Sequence, residues 1–142
     1  MPEINLSKAR NIVRGTIKKG REMDLKPLSV VVLDTGGHVK AFEREDGASP
    51  GRFEVARGKA YGVVMTGLPG SALMQRAEDQ AYFVAALNGA FDGKVVPVPG
   101  GVLLRDGRDR IIGAVGVSGD TSDNDAAAAL FAIEAAGLKG EA

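Results

Sequence analysis

Val30-Val31-Val32-Leu33-Asp34-Thr35-Gly36-Gly37-His38-Val39 is the stretch on which the reading of this chain turns. An apolar, β-branched run ends in an acid, reverses on paired glycines and resumes at a histidine. Leu28 to Leu33 has the composition of a buried strand. Thr35-Gly36-Gly37 can take the positive φ angles of a tight turn, and Val39, Phe42 and Arg44 continue as a second strand, so the two form a hairpin. His38 is the single histidine among 142 residues, and the chain has no cysteine. Histidine is both a common metal ligand and the side-chain type that titrates near neutrality, so His38 is the first candidate for chemistry.

Outward from the hairpin, the chain punctuates itself clearly. Upstream, Leu6, Ala9, Val13 and Ile17 share one helical face, with Asn5 as N-cap and Gly20 weakening the end. Downstream, Ser49-Pro50 reads as the N-cap and first residue of a second helix. Its apolar face is Phe53, Ala56, Ala60 and Val63 or Val64. Gly58 and Gly62 lie on another stripe of that helix, where glycine costs stability, so a neighbouring backbone is expected to approach there. Leu68-Pro69-Gly70 breaks the helix, and Ser71 to about Asn88 reads as two short helical pieces.

Beyond them the pattern returns to strands. Val95, Val96 and Val98 surround prolines, and Gly100-Gly101 leads into Val102-Leu103-Leu104. Asp106-Gly107 is a hairpin signal, and Ile111 to Val117 reads as the last strand. Its Gly113 and Gly116 leave room for a neighbouring helix or a ligand. A final helix starts in the acidic Thr121 to Asp125, where carboxylates suit the helix dipole. The order helix, hairpin, helices, hairpin, helix predicts an α+β fold, an antiparallel sheet covered by helices, in one domain over residues 1–142.

Composition excludes several classes of function. Lys+Arg and Asp+Glu number 18 each, so the net charge is zero. The basic residues are dispersed and form no stripe with aromatics, which argues against nucleic acid as a partner. Without cysteine there is no disulfide, thiolate metal site or thiol nucleophile. No apolar run approaches the ~20 residues that span a bilayer. Met1-Pro2-Glu3-Ile4-Asn5 lacks the basic and apolar regions of a secretory signal, and the expected location is the cytoplasm.

Several motifs together resemble a known family. Val31 to Val39, followed by Phe42-Glu43-Arg44-Glu45-Asp46-Gly47-Ala48, resembles the signature hairpin of the GlcG/HbpS-type proteins, the haem-degrading domain family. Lys59-Ala60, Pro97-Val98-Pro99-Gly100-Gly101-Val102, Gly113-Ala114-Val115-Gly116-Val117-Ser118-Gly119 and Asp123-Asn124-Asp125 follow in the same order. The match covers nearly the whole chain. It departs from the pattern at Glu45, a position often held by Met, and Ser71 to Gly93 carries little of the signature. The resemblance implies a central antiparallel sheet of about five strands flanked by helices, profilin-like, in a homo-oligomer. It also implies haem as the nominal ligand, since some members bind haem or take part in its degradation.

The candidate residues follow from both readings. His38 could ligate haem iron or act as a general base, with Asp34 or Asp46 orienting the imidazole; alternatively it is a strand-start histidine bonded to its turn. Arg44 and Lys59 could hold a substrate carboxylate or a haem propionate. Equally, an Arg44–Asp46 or Lys59–Asp46 pair could fix hairpin to helix. Gly100 and Gly101 could bring backbone amides to a ligand or simply make tight turns. Asp120, Asp123 and Asp125 lack the full calcium-loop pattern, and an acidic helix start suffices for them. Ser71, Ser118 and Ser122 have no nucleophile elbow. Tyr61, Phe83 and Phe91 could stack on a planar ligand or belong to the core.

Three functions fit these residues. The first is a small-ligand-binding protein, nominally haem-binding and possibly haem-degrading. The second is a cofactor-independent isomerase, hydratase or lyase acting on a small carboxylated or aromatic metabolite. The third is an oligomeric scaffold without chemistry of its own.

Overall fold

The computed structural model describes residues 2–142. Helix α1 (Leu6–Glu22) is capped by Asn5, whose side chain accepts the Lys8 amide at 2.8 Å. It runs through Gly20, where a Cβ would stand 2.6 Å from Leu28 Cδ1, so the glycine admits a core leucine rather than ending the helix. Strands β1 (Ser29–Leu33) and β2 (Val39–Arg44) then form the expected antiparallel hairpin.

Helix α2 (Arg52–Thr66) starts later than Ser49-Pro50 suggests, with Gly51 as its N-cap. The Ser49 carbonyl is already committed to a turn, accepting the Arg52 amide at 3.1 Å. Gly67, at φ 72°, ends α2 in the left-handed conformation. Two short helices follow, α3 (Gly70–Asp79) and α4 (Ala81–Ala90), then β3 (Gly101–Arg105) and β4 (Ile111–Ser118). Helix α5 (Ser122–Ala135) is capped by the Thr121 side chain, which accepts the Asn124 amide.

Ile111–Ser118 is not the last strand. β5 (Lys139–Glu141) pairs with β3 and brings the antiparallel sheet to five strands in the order β2-β1-β4-β3-β5. Three residues with Lys and Glu at the ends show no apolar alternation, so this strand is invisible to pattern. Its place is set by Gly140, where a Cβ would crowd Leu130 Cδ2 at 2.8 Å.

The two faces of the sheet carry different layers. Val30, Val32, Val102, Leu104, Val115 and Val117 face α1 and α5. Val31, Leu33, Leu103 and Ala114 face Ala56, Ala60 and Val63 of α2. β1 is therefore buried on both sides, which is why its sequence is continuously apolar rather than alternating.

Glycines seat α2 on the sheet. A Cβ on Gly116 would run into the Ala56 carbonyl, and one on Gly101 into the Lys59 carbonyl. On the other side of α2, Gly58 lies against Val96 and the Lys94 carbonyl, the close backbone approach that the spacing predicts, whereas Gly62 is met only by the Val95 and Leu73 side chains. Gly116→Ala should therefore push a methyl into helix backbone that cannot rotate away. The expected loss is at the upper end of the ~1–3 kcal/mol typical of overpacking, read as a lower urea midpoint at unchanged slope.

Candidate functional site

One carboxylate organises the hairpin turn. Asp34 Oδ1 accepts the backbone amides of Gly36 at 3.0 Å and His38 at 2.9 Å, and lies 3.2 Å from His38 Nδ1. Gly37 takes φ 81° to let the turn close. Burial alone would raise the Asp34 pKa, but the His38 and Gly36 amides and the imidazole outweigh it, and the net direction is down. An ionised carboxylate only accepts, so the shared proton sits on His38 Nδ1 and Nε2 is the free nitrogen. The histidine side chain is 80% exposed.

The turn lies against α2. A Cβ on Gly37 would meet Tyr61 Cε2 at 2.7 Å and Met65 Cε at 2.8 Å. Tyr61 in turn meets the edge of Phe91, ring centroids 5.9 Å apart, and the Lys94 ammonium stands 5.4 Å from the Tyr61 ring. Of the aromatics expected to be available for a planar ligand, Tyr61 thus adjoins the histidine turn and Phe91 stands behind Tyr61. Phe83 instead lies under the Arg76 guanidinium on the α3–α4 lobe.

The other candidates occupy the far end of the hairpin. Arg44 pairs in register with Ser29, and its Nη1 donates to the Ala48 carbonyl at 2.7 Å. Six residues of extended chain separate it from His38, about 20 Å at ~3.3 Å each. Asp46 lies beyond Arg44, so the imidazole is oriented by Asp34 and not by Asp46.

Lys59 pairs with Asp125 and not with Asp46. It is 4% exposed, and its ammonium donates to the Val117 carbonyl at 2.9 Å and to Asp125 Oδ2 at 3.1 Å. Asp125 is wholly buried, and its Oδ1 accepts the Asp120 amide at 3.0 Å. Burial pushes the Lys59 pKa down and the Asp125 pKa up, in each case against the attraction of the partner. Lys59 also fills the space at the glycine pair: a Cβ on Gly100 would stand 2.9 Å from its Cδ and Nζ. Beside this network Arg52 Nη1 donates to Ser118 Oγ at 3.0 Å.

Asp125 was legible only as an acidic helix start. The signal for its partnership was Lys59 itself, a cation set between Ala56, Ala60 and Val63 on the sheet-facing side of a helix. Among the described residues, no three His, Asp or Glu side chains converge on a metal cage. Asp120 instead accepts Asn124 Nδ2 and the Lys26 and Thr121 amides, and these bonds hold its pKa down at about 2.

Comparison with known proteins matches this arrangement to one family. Residues 4–134 fit the model of the haem degrading protein HbpS-like family. The chain belongs to that family. A comparison with curated proteins finds no match. Among solved structures, the HbpS-like fold is shared with PduOC in complex with haem, with TM-score 0.84, 23% identity, and coverage of 96% of each chain. HbpS itself superposes with TM-score 0.81 at 22% identity, over 95% of this chain and 91% of that one. Klebsiella pneumoniae ORFY gives 0.84 at 23% identity, over 96% and 92%.

Two predictions follow from the polar network of this HbpS-like chain. Lys59→Met leaves the Asp125 carboxylate buried and unpaired, and should cost about 3–5 kcal/mol in equilibrium unfolding. Lys59→Met combined with Asp125→Leu should cost less than the single change, because no charge is then stranded. For Asp120, a folded pKa of about 2, below the ordinary 3.8, means that its contribution is complete above pH 4 and is lost as pH falls through 2. The Tm difference between wild type and Asp120→Ala should accordingly be present at neutral pH and shrink away at the acid end.

Proposed function

We propose that this protein binds haem at the exposed hairpin turn, with His38 Nε2 as the ligand to iron. One observation carries the reading: the Asp34–His38 contact of 3.2 Å holds the imidazole by Nδ1 and leaves the other nitrogen free and outward. Metal-bound histidines commonly donate their second N–H to a carboxylate, which fixes the ring and raises its basicity. The neighbours suit a porphyrin, since Tyr61, Met65 and Phe91 supply apolar and aromatic surface and Lys94 a cation for a propionate. Membership of the haem-degrading family and the likeness to a haem-bound PduOC structure support the same ligand.

Bound haem would supply the iron and its oxygen chemistry, because the chain has no cysteine to contribute redox equivalents of its own. The protein's part is to hold the ring by His38, keep the imidazole proton on Nδ1, and present an apolar surface to one face. The cofactor-free alternative needs His38 and Arg44 on the same small metabolite, and about 20 Å of strand between them counts against it.

A haemin titration followed in the Soret band tests the proposal. Wild type should saturate at one haem per chain. His38→Ala should lose the band position of an imidazole complex, and Asp34→Asn should weaken binding by roughly 10–100-fold. Identical titrations of wild type and His38→Ala would remove His38 as the ligand.

A further inference from the structure

The strand register sets three polar side chains in a row at the end of the sheet away from His38. Ser29 pairs with Arg44 of β2 on one side and with Ser118 of β4 on the other. Directly paired residues share a face of the sheet. Ser29 lies two residues before Val31, so that face is the one covered by α2. From above, Arg52 at the start of α2 reaches down, and its Nη1 donates to Ser118 Oγ at 3.0 Å.

The row is short of acceptors. Ser29 is wholly buried, and its hydroxyl has no hydrogen-bond partner among the described residues. Ser118 is wholly buried too; its Oγ accepts from Arg52, while none of the described residues accepts its own proton. Buried hydroxyls are ordinarily bonded, so two unmet donors side by side need an account.

The row also carries charge that the chain does not balance. The partner of Arg52 is a neutral hydroxyl and that of Arg44 is the Ala48 carbonyl, and neither guanidinium is ion-paired among the described residues. Lys59, close by, is already balanced by Asp125 at 3.1 Å. Burial is the main cause that lowers the Lys59 pKa, and repulsion from the Arg52 guanidinium lowers it further, so the two cations stand near each other. Gly51 gives α2 no capping side chain, and the helix start adds partial positive charge.

We propose that this row is a binding site for a small carboxylate, held by the Arg52 guanidinium and by the hydroxyls of Ser29 and Ser118. A carboxylate only accepts, so one ligand supplies the acceptor that both hydroxyls lack. A guanidinium matches it with two parallel N–H donors. The half-buried Arg52 side chain lies across the hydroxyls, and turning its outer torsions toward solvent uncovers them while the guanidinium stays over the ligand. A single negative charge is favoured over a phosphate dianion. Asp125 stands on Lys59 beside the row, Asp120 lies two residues past Ser118, and both repel a second charge. The site sits at the opposite end of the hairpin from His38 and does not rest on the haem reading.

Ser29→Ala separates a ligand site from a structural hydroxyl. The hydroxyl bonds nothing within the chain, so the variant should fold and melt no lower than wild type. Sodium acetate should be titrated against sodium chloride at constant ionic strength, followed by the Ser118 and Phe53 amide resonances in NMR spectra. In wild type these should move and saturate, and acetate affinity should fall about tenfold or more in Ser29→Ala and in Arg52→Gln. No saturable movement in wild type, or equal acetate affinity in wild type and Ser29→Ala, would overturn the site. Inorganic phosphate binding more tightly than acetate would overturn the choice of a carboxylate. A lower Tm for Ser29→Ala would mean that a fixed water already meets the hydroxyl, and would remove the argument from an unmet donor.

Discussion

The distance of closest approach between α2 and the sheet governs the rest of the molecule. Gly101 and Gly116 present bare backbone to the helix, and the carbonyls of Lys59 and Ala56 occupy the space where side chains would be. At that separation the Lys59 side chain runs along the glycine pair and past the end of β4 to a carboxylate on α5. Since α5 packs on the opposite face, one ion pair joins the two helical layers around the rim of the sheet. Sliding α2 by one turn, about 5.4 Å, would bury the ammonium without its acid. The pair therefore sets the register of the helix more than it adds net stability, because the loss of hydration for both charges offsets most of their attraction.

That register has a consequence at the other end of the helix. Two and six residues beyond the lysine, Tyr61 and Met65 meet the Gly36-Gly37-His38 turn, where a side chain on Gly37 would not fit. Position and chemistry of the histidine are one structural fact here. The Asp34 carboxylate that closes the turn through two backbone amides is the same group that holds Nδ1. A change at Asp34 would thus move the turn as well as the imidazole.

The fold was legible where local physics decides it. The apolar run of β1, the glycine turn, the Asn5 cap and Gly58 of α2 all meant in the structure what they mean in a sequence. Ser49 misled because its carbonyl, not its hydroxyl, is the group that the chain uses, and side-chain type alone does not reveal this. β5 was silent because three residues carry no period. The site was half legible. Asp34 and His38 are four residues apart and read as one motif, whereas Lys59 and Asp125 are 66 apart and meet only through the tertiary fold. The carboxylate choice between Asp34 and Asp46 likewise needed the hairpin register, which places them at opposite ends of β2.

A division of labour follows from where the constraints lie. The contact of α2 with β3 and β4 is made of backbone against glycine and of small and branched apolar side chains, so it tolerates little change of volume. The stretch from Ser71 to Gly93, which carries little of the family signature, forms the α3–α4 lobe, and there α4 packs chiefly on α3. Apart from Leu73, which is buried in the core under α2 and the sheet, side chains on that lobe can change without disturbing the sheet. Yet the lobe ends at Phe91, against Tyr61 and next to the histidine turn. A rigid half thus holds the imidazole, and a permissive half borders it. In such a fold ligand choice can vary on the lobe while the histidine stays in place.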